Sequence, residues 1–436
     1  DRKILALWAL DFDLKNGCRA ARIHIYSNTS SVFEVRDMKT DRLVQASESG
    51  LNIQLFADGR YGAFSTNRLY KDELEKFIRN GIESTRYLAE DKDRRLPDSS
   101  LYYKGGGDDL QQLDPHFGSI QPDDKLALAM QVCDEIMGKD HRIISSVSSY
   151  GDEISSGYLI ASNGFEGETA SSSYTLTGSV SIKEEDSEAR PESYWYDSSI
   201  FYDTLMKKGI GTKALERTIR KLGQKKTTSG KYCMVVDNLN SSHLLLPVIH
   251  ALYGSSIQQK NSFLLDKLNQ KVAGEKLTLT DEPHRPQSPG ARYFDNEGVA
   301  TRQLPVFENG VLKTYYIDTY HANKLGISPT IHSPSILALQ LGDKEMGGLI
   351  SLVEKGILVA GFNGGNCNSS TGDFSYGVEG FLIENGQLTQ PVSEMNITGN
   401  MLTLWSRLVE AGKDTRKSSV WKIPSLLFDN VNFSGL

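Results

Sequence analysis

Between residues 169 and 183 the apolar side chains Tyr174, Leu176, Val180 and Ile182 fall on alternate positions, with small polar residues and glycine between them. A spacing of two puts all four on one face of a strand, so this stretch demands a sheet with a covered side. Residues 143–149 and 157–162 have the same β character, with Tyr150-Gly151-Asp152 and Asn163-Gly164 as turn signals between the strands. An acidic loop over 184–192 ends this meander. Upstream, residues 22–26 and 51–56 alternate as strands, and Asp58-Gly59 suits a tight turn toward 61–64. A helix is expected over 71–90, with Leu74, Phe77, Ile78 and Ile82 on one face. A second runs to Met137, capped by Asp123 or Asp124 and turning Leu126, Met130, Cys133 and Met137 inward. A basic helix follows near 213–222. From Tyr232 onward strands and glycine turns dominate, broken by helices near 244–253, 262–270 and 401–411.

Two stretches lack such patterning. The charged run 90–95 with Pro97 and Gly105-Gly106-Gly107 reads as a linker, and the polar segment before Ser229 as a second. The expected division is a sheet-and-helix domain over 1–104, a middle domain with a β-meander and helices over 105–229, and a β-rich domain over 230–436. The fold class is α+β: an N-terminal α/β-type sheet-and-helix region followed by a β-rich C-terminal domain. No period of 20–50 residues recurs, which argues against a solenoid or propeller.

With 436 residues, 39% of them apolar, the chain can fill sizeable cores. Its net charge of −7 places it poorly for neutralising phosphates, so nucleic acid is not an expected partner. The uncharged stretch 244–254 contains Pro247 and His250 and falls short of the ~20 residues that cross a bilayer. No membrane association is expected. The four cysteines lie far apart without a C-x-x-C pair, which favours a reducing compartment. The expected location is the cytoplasm.

Several motifs have two readings. Gly209-Ile210-Gly211-Thr212-Lys213-Ala214 matches a phosphate-binding fingerprint in form, but 203–208 makes a poor strand before it, so a plain helix entry is the better account. Residues 372–377 (GDFSYG) loosely match the turn that presents a nucleophilic serine, yet Asp373 stands where that bend needs glycine, leaving a β-turn segment. No two of the eight histidines are spaced i, i+4. His243 and His250 are seven apart, about 10 Å along a helix, with no donor side chain between them. Structural histidines are the default.

Residues 290–304 (GARYFDNEGVATRQL), 308–326 (ENGVLKTYYIDTYHANKLG) and above all 361–400, with its G-x-x-N-x-x-T-G-D-F-S-x-G-x-x-G-F-x-I-E-N-G run, resemble the TldD/PmbA family, PmbA also being called TldE. Weaker similarity covers 50–83 and 211–236. TldD-like members carry an H-E-x-x-x-H zinc motif and a late cysteine ligand. Through the flanking pattern, Leu245 stands at the first His, Leu246 at the Glu and His250 at the second His. The late stretch 413–421 has no cysteine. A catalytic zinc needs three protein ligands and an open position for water. Losing the carboxylate also removes a general base worth about 10²–10⁴ in rate.

The resemblance therefore implies the TldE-like branch: a non-catalytic, zinc-less subunit of a TldD/TldE-type metallopeptidase that processes unfolded peptides. No catalytic residue and no cofactor is expected in this chain, and zinc is expected in a TldD-like partner. The family's old label as modulators of DNA gyrase fits an effect on peptides better than DNA binding. Substrate-cleft candidates are His250, Asp373, Ser375 and Glu394. Edge strands of the β-rich domain could hold an extended peptide by backbone hydrogen bonds. Two other readings stay open. One is an active metallohydrolase in which His250 meets Asp373 or Glu394. The other is a stand-alone homo-oligomeric peptide-binding protein, and a homodimer of the isolated chain would suit either.

Overall fold

A computed structural model describes residues 2–185 and 187–435. Of the acidic loop expected over 184–192, Asp186 lies outside the described residues. Helix α1 (Arg2–Lys15) leads into β1 (Ala20–Arg36), β2 (Lys39–Ala57) and β3 (Arg60–Thr66). Helices α2 (Lys71–Arg86) and α3 (Pro122–Asp134) precede β4 (Ile143–Ala161), β5 (Phe165–Ile182), β6 (Glu192–Ser199) and α4 (Ile210–Ile219). The six strands form one antiparallel sheet in the order β3-β2-β1-β4-β5-β6. Strands from either side of residue 104 are thus neighbours, β1 pairing with β4 from Arg22↔Ala161 to Arg36↔Val147.

Alternation assigns the two faces. Ile23 and Ile25 of β1 pair with Ile53 and Leu51 of β2, and this row packs beneath α1 and α2. Farther along the same face, Phe33, Tyr150, Tyr174 and Leu176 lie against α3, and Val180 and Ile182 against α4. The opposite face carries Arg22, His24, Asn52 and Gln54, and among the described residues no helix is packed along it.

Local expectations differ from the structure where tertiary pairing outweighs turn chemistry. The turn expected at 150–152 is absent, because Gly151 is held between Val32 of β1 and Thr175 of β5 and β4 runs on unbroken. Neither Asp123 nor Asp124 caps α3. Pro122 starts the helix, which pushes the cap position back to Gln121. The helix expected over 71–90 stops at Arg86. Gly209 enters α4 at φ 82, and the N–H groups of Gly209 and Gly211 donate to the Glu135 carboxylate at 2.8 Å each. The donors a phosphate would need are therefore taken by the chain's own anion.

The C-terminal half begins with β7 (Gly230–Val236), α5 (Ser241–His250) and α6 (Gly254–Gln258). A small sheet follows, built from β8 (Leu279–Asp281), β9 (Leu304–Glu308), β10 (Val311–Leu312) and β11 (Leu337–Leu339), with α7 (Thr319–Leu325) and then α8 (Met346–Ser351). The long strands β12 (Lys355–Cys367), β13 (Asp373–Glu384) and β14 (Gln387–Asn400), helix α9 (Met401–Ser406), β15 (Leu408–Ala411) and β16 (Leu426–Ser434) complete it. Their order is β14-β13-β12-β7-β16-β15, and a further pairing of β14 with β16 closes a barrel. Residues 262–270 are turns rather than the expected helix, with Asp266 and Asn269 at positive φ. The helix expected over 401–411 gives way after Ser406 to β15. The fold is α+β with a barrel-forming C-terminal half. Among the described residues no helix is long and apolar enough to cross a membrane.

One group in this core is out of place. Asp13 of α1 is 0% exposed and neither carboxylate oxygen has a hydrogen-bond partner. Burial pushes its pKa up to about 8. A carboxyl whose folded pKa is raised stabilises most below its ordinary value and loses that contribution as pH rises through the folded one. Stability should therefore fall between about pH 4 and 8, by at most on the order of 5 kcal/mol. Chemical denaturation at pH 5 and pH 8 should show this slope in the native chain and a flatter one in Asp13→Asn. Equal slopes in the two proteins would refute the assignment.

Candidate functional site

Helix α5 sets the geometry at the barrel's rim. Asn240 at its N-cap donates to Asp237 at 2.7 Å and to the Ala360 carbonyl at 2.9 Å, tying the helix start to β12. Leu244, Leu245, Val248 and Ile249 are buried in the barrel core. Leu245 is 0% exposed, whereas Leu246 is 40% exposed. Pro247 sits inside the helix and leaves the His243 carbonyl without its usual donor. The His243 ring stacks on Phe362 with centroids 4.3 Å apart and meets the Tyr376 edge at 4.8 Å; burial lowers its pKa. His250 lies exposed at the helix end, 5.7 Å from the Tyr253 ring. The two imidazoles occupy different surroundings.

The signature segment builds a rigid corner beside them. Asp373 opens β13 and pairs in register with Asn400. Its carboxylate accepts from Asn400 Nδ2 at 2.9 Å and Thr371 Oγ1 at 2.8 Å, bonds that hold its pKa below the usual range. Asn400 in turn caps α9 by accepting from the Leu402 N–H. Gly372 takes φ 80, and a Cβ there would meet the Phe263 ring at 3.1 Å. Asp373 is thereby a structural tie. Ser375, two residues on, is exposed on the same strand face, opposite Thr398. Glu394 sits in β14 at φ 50 and pairs with Lys226 at 3.3 Å. So Asp373 and Ser375 share a face, while no hydrogen bond or ion pair among the described residues joins either of them, or Glu394, to His250. Among the described residues no three His, Cys, Asp or Glu side chains group to hold a metal. In β12, residues 361, 362 and 365–367 pair with β13 alone, with a bulge at 363–364, because the pairing with β7 reaches only to Val359. That leaves one backbone edge open, with residues 363–366 exposed.

A second concentration of polar groups was not legible in the sequence. The helix-free face of the first sheet meets residues 292–296, leaving a cleft of about 600 Å³ lined by Arg22, His24, Asn52, Gln54, Arg292 and Asp295 among others. Behind it Arg22 approaches Glu297 at 3.7 Å, and Glu297 accepts from the N–H and hydroxyl of Thr319 at 2.9 Å each. Burial raises the Glu297 pKa despite Arg22. Asp295 accepts from the backbone N–H of Glu297, Val299 and His332. Asp318 caps α7 through the His321 N–H, contacts His321 Nδ1 at 2.7 Å and lies 3.5 Å from His332 Nδ1. Burial alone would raise its pKa, but hydrogen bonds from His332 and His321 outweigh this and hold it at about 2. The only advance signal was Asp318 three residues before His321, a helix-start pattern.

Family profiles for the PmbA/TldA metallopeptidases match residues 21–85 as domain 1, 115–222 as the central domain and 229–435 as the C-terminal domain. A solved structure from Bacteroides thetaiotaomicron, named provisionally as a modulator of DNA gyrase, is 62% identical and superimposes with a TM-score of 0.98 over 100% of this chain and 99% of that one. The metalloprotease PmbA of Escherichia coli O157:H7 is 25% identical over 429 residues, 95% of this chain and 92% of the relative. TldE from Thermococcus kodakarensis, 18% identical, has the same fold at a TM-score of 0.87 over 99% of this chain and 100% of its own.

The pair Asp318–His332 has a pH signature. Its hydrogen bond to Asp318 raises the His332 pKa, so that contribution is complete below the ordinary imidazole value and lost as pH rises through the folded one. The depressed Asp318 contributes above the ordinary carboxylate value and loses it as pH falls toward about 2. The pair should stabilise most between about pH 4 and 6.5, by about 1 kcal/mol or less because the imidazole is partly in solvent. NMR titration should place His332 above 6.5 in the native chain and lower in Asp318→Asn; an unmoved His332 would sink this account.

Proposed function

This chain belongs to the PmbA/TldD metallopeptidase family, and we propose that it is the zinc-less, TldE/PmbA-like subunit that pairs with a zinc-bearing TldD-like subunit and holds flexible peptides for cleavage there. The observation that carries this reading is Leu245. At the position of the family's first zinc-binding imidazole, this chain puts an aliphatic side chain with 0% exposure, packed into the barrel core. Leu246, at the place of the proton-accepting carboxylate, has no lone pair. His250 is then one imidazole where three ligands are needed, and His243 is engaged by Phe362 and Tyr376. The residues present do not fit a catalytic zinc.

What the chain can do is hold substrate. The open edge of β12 over 361–367 faces solvent beside α5, and an extended peptide can add to such an edge through backbone bonds that ignore side-chain identity. The pairing of β14 with β16 at residues 396–398 closes the barrel and removes that part of its edge. Four cysteines without a disulfide suit a reducing compartment, and we place this work in the cytoplasm.

Two measurements test the reading. Co-expression with an H-E-x-x-x-H-bearing relative, native pull-down and zinc quantification should give a mixed complex with zinc in the relative alone. Stoichiometric zinc and peptidase activity in this chain by itself would overturn the proposal. Within the complex, Asn363→Pro should weaken capture of an unstructured peptide by about tenfold or more, the loss expected of one or two backbone hydrogen bonds at about 1 kcal/mol each. Unchanged capture would remove the edge from the argument.

A further inference from the structure

The cleft on the helix-free face of the first sheet has a distinctive chemistry: its charged side chains are already engaged by other groups of the chain. Arg22 is engaged by Glu297, and Arg292 donates to Ser335 Oγ at 2.9 Å and the Ser333 carbonyl at 2.7 Å. Both carboxylate oxygens of Asp295 accept backbone N–H groups. The lining side chains left without a hydrogen-bond partner among the described residues are neutral, and they include the amides of Asn52, Gln54 and Asn296 and the imidazole of His24. Burial lowers the His24 pKa, so this ring too is uncharged at neutral pH. A primary amide presents a donor and an acceptor side by side, the same pair a peptide group presents. Between the amides, Leu159 and Phe294 supply apolar surface. One rim is β3, the outermost strand of the sheet, whose outer side is bridged at Arg60 to Glu90 and open beyond it.

We propose that this cleft holds a short, extended, uncharged stretch of substrate peptide, with Asn52, Gln54 and Asn296 bonding to its backbone and the open edge of β3 guiding it. The cleft is a second holding station, separate from the edge of β12. Its volume of about 600 Å³ lies within the range of sites that enclose small ligands. Side-chain amides reading backbone groups select for an unfolded chain, because in a folded one those groups are already paired. Sequence tolerance follows, since the backbone groups read by the amides are common to every substrate residue.

The inference rests on the reading of this chain as a peptide-holding subunit, and the two can fail separately. The test is calorimetry on the whole chain with an acetylated, amidated hexapeptide of alternating alanine and serine. Ala63→Trp projects a large ring into the cleft from an exposed position of β3 and leaves the buried face untouched. Gln54→Leu removes one amide. With folding verified by thermal denaturation, affinity should fall about tenfold or more in Ala63→Trp and severalfold in Gln54→Leu. Equal affinity in native and variant chains would overturn the cleft while leaving the partner-subunit reading intact. Absence of binding to the native chain would also overturn it, the partner reading then being judged by pull-down alone. Tenfold tighter binding of the same peptide with a free C-terminal carboxylate would show recognition by charge, and binding of maltotetraose but not peptide would show a saccharide site. Either result contradicts the proposal.

Discussion

The Glu297 carboxylate is buried in the seam between the first sheet and the C-terminal half, and the packing of that seam depends on how this group is met. An unpaired charge there would cost several kcal/mol, so partners from separate elements must converge on it. Arg22 comes from β1 and Thr319 from the start of α7. Around this contact, Phe165 of β5 meets Phe294 edge to face, Tyr103 stacks on Tyr293, and Tyr103 and Ala300 make backbone bonds across the seam. The cleft has fixed walls because this seam holds them apart at one distance. The charged run 90–95 is part of the same arrangement: Asp91 and Asp93 pair with Lys324, and Arg94 lies over the Tyr320 ring. A segment with the composition of a linker is thereby docked along its length.

The residues that most invite a chemical interpretation are engaged in holding backbone. Asp373 ties the start of β13 to the cap of α9, and Glu135 closes the first turn of α4. His243 is a flat filler between β12 and β13. In the cleft and along β12, the groups left without partners among the described residues include amides and a backbone edge. A surface of that kind binds through shape and hydrogen bonding.

Local patterning carried much of the architecture. The alternation at Tyr174, Leu176, Val180 and Ile182, the turn at Asn163-Gly164 and the apolar stripe of α2 all appear as read. What could not be read was long-range. Gly151 signals a turn unless one knows that strands flank it on both sides, and α1 is apolar around most of its circumference, which hides its periodicity. The site followed the same division. The reading of Leu245 and Leu246 rested on the resemblance and on side chains without a donor atom, which is a local fact. The seam brings Arg22 to Glu297 across 275 residues of sequence, and no spacing rule predicts it.

Closure of the barrel has a consequence for how the molecule is made. β7 lies between β12 and β16, so the first barrel strand to leave the ribosome waits for neighbours encoded far downstream. Until β16 emerges, the apolar inner side of β7 and the hydrophobic face of α5 have no permanent cover. The first sheet needs none of these strands and can assemble while synthesis continues. The nascent chain thus passes through a stage with one finished half and one exposed half, and it is there that chaperone demand and misassembly should concentrate.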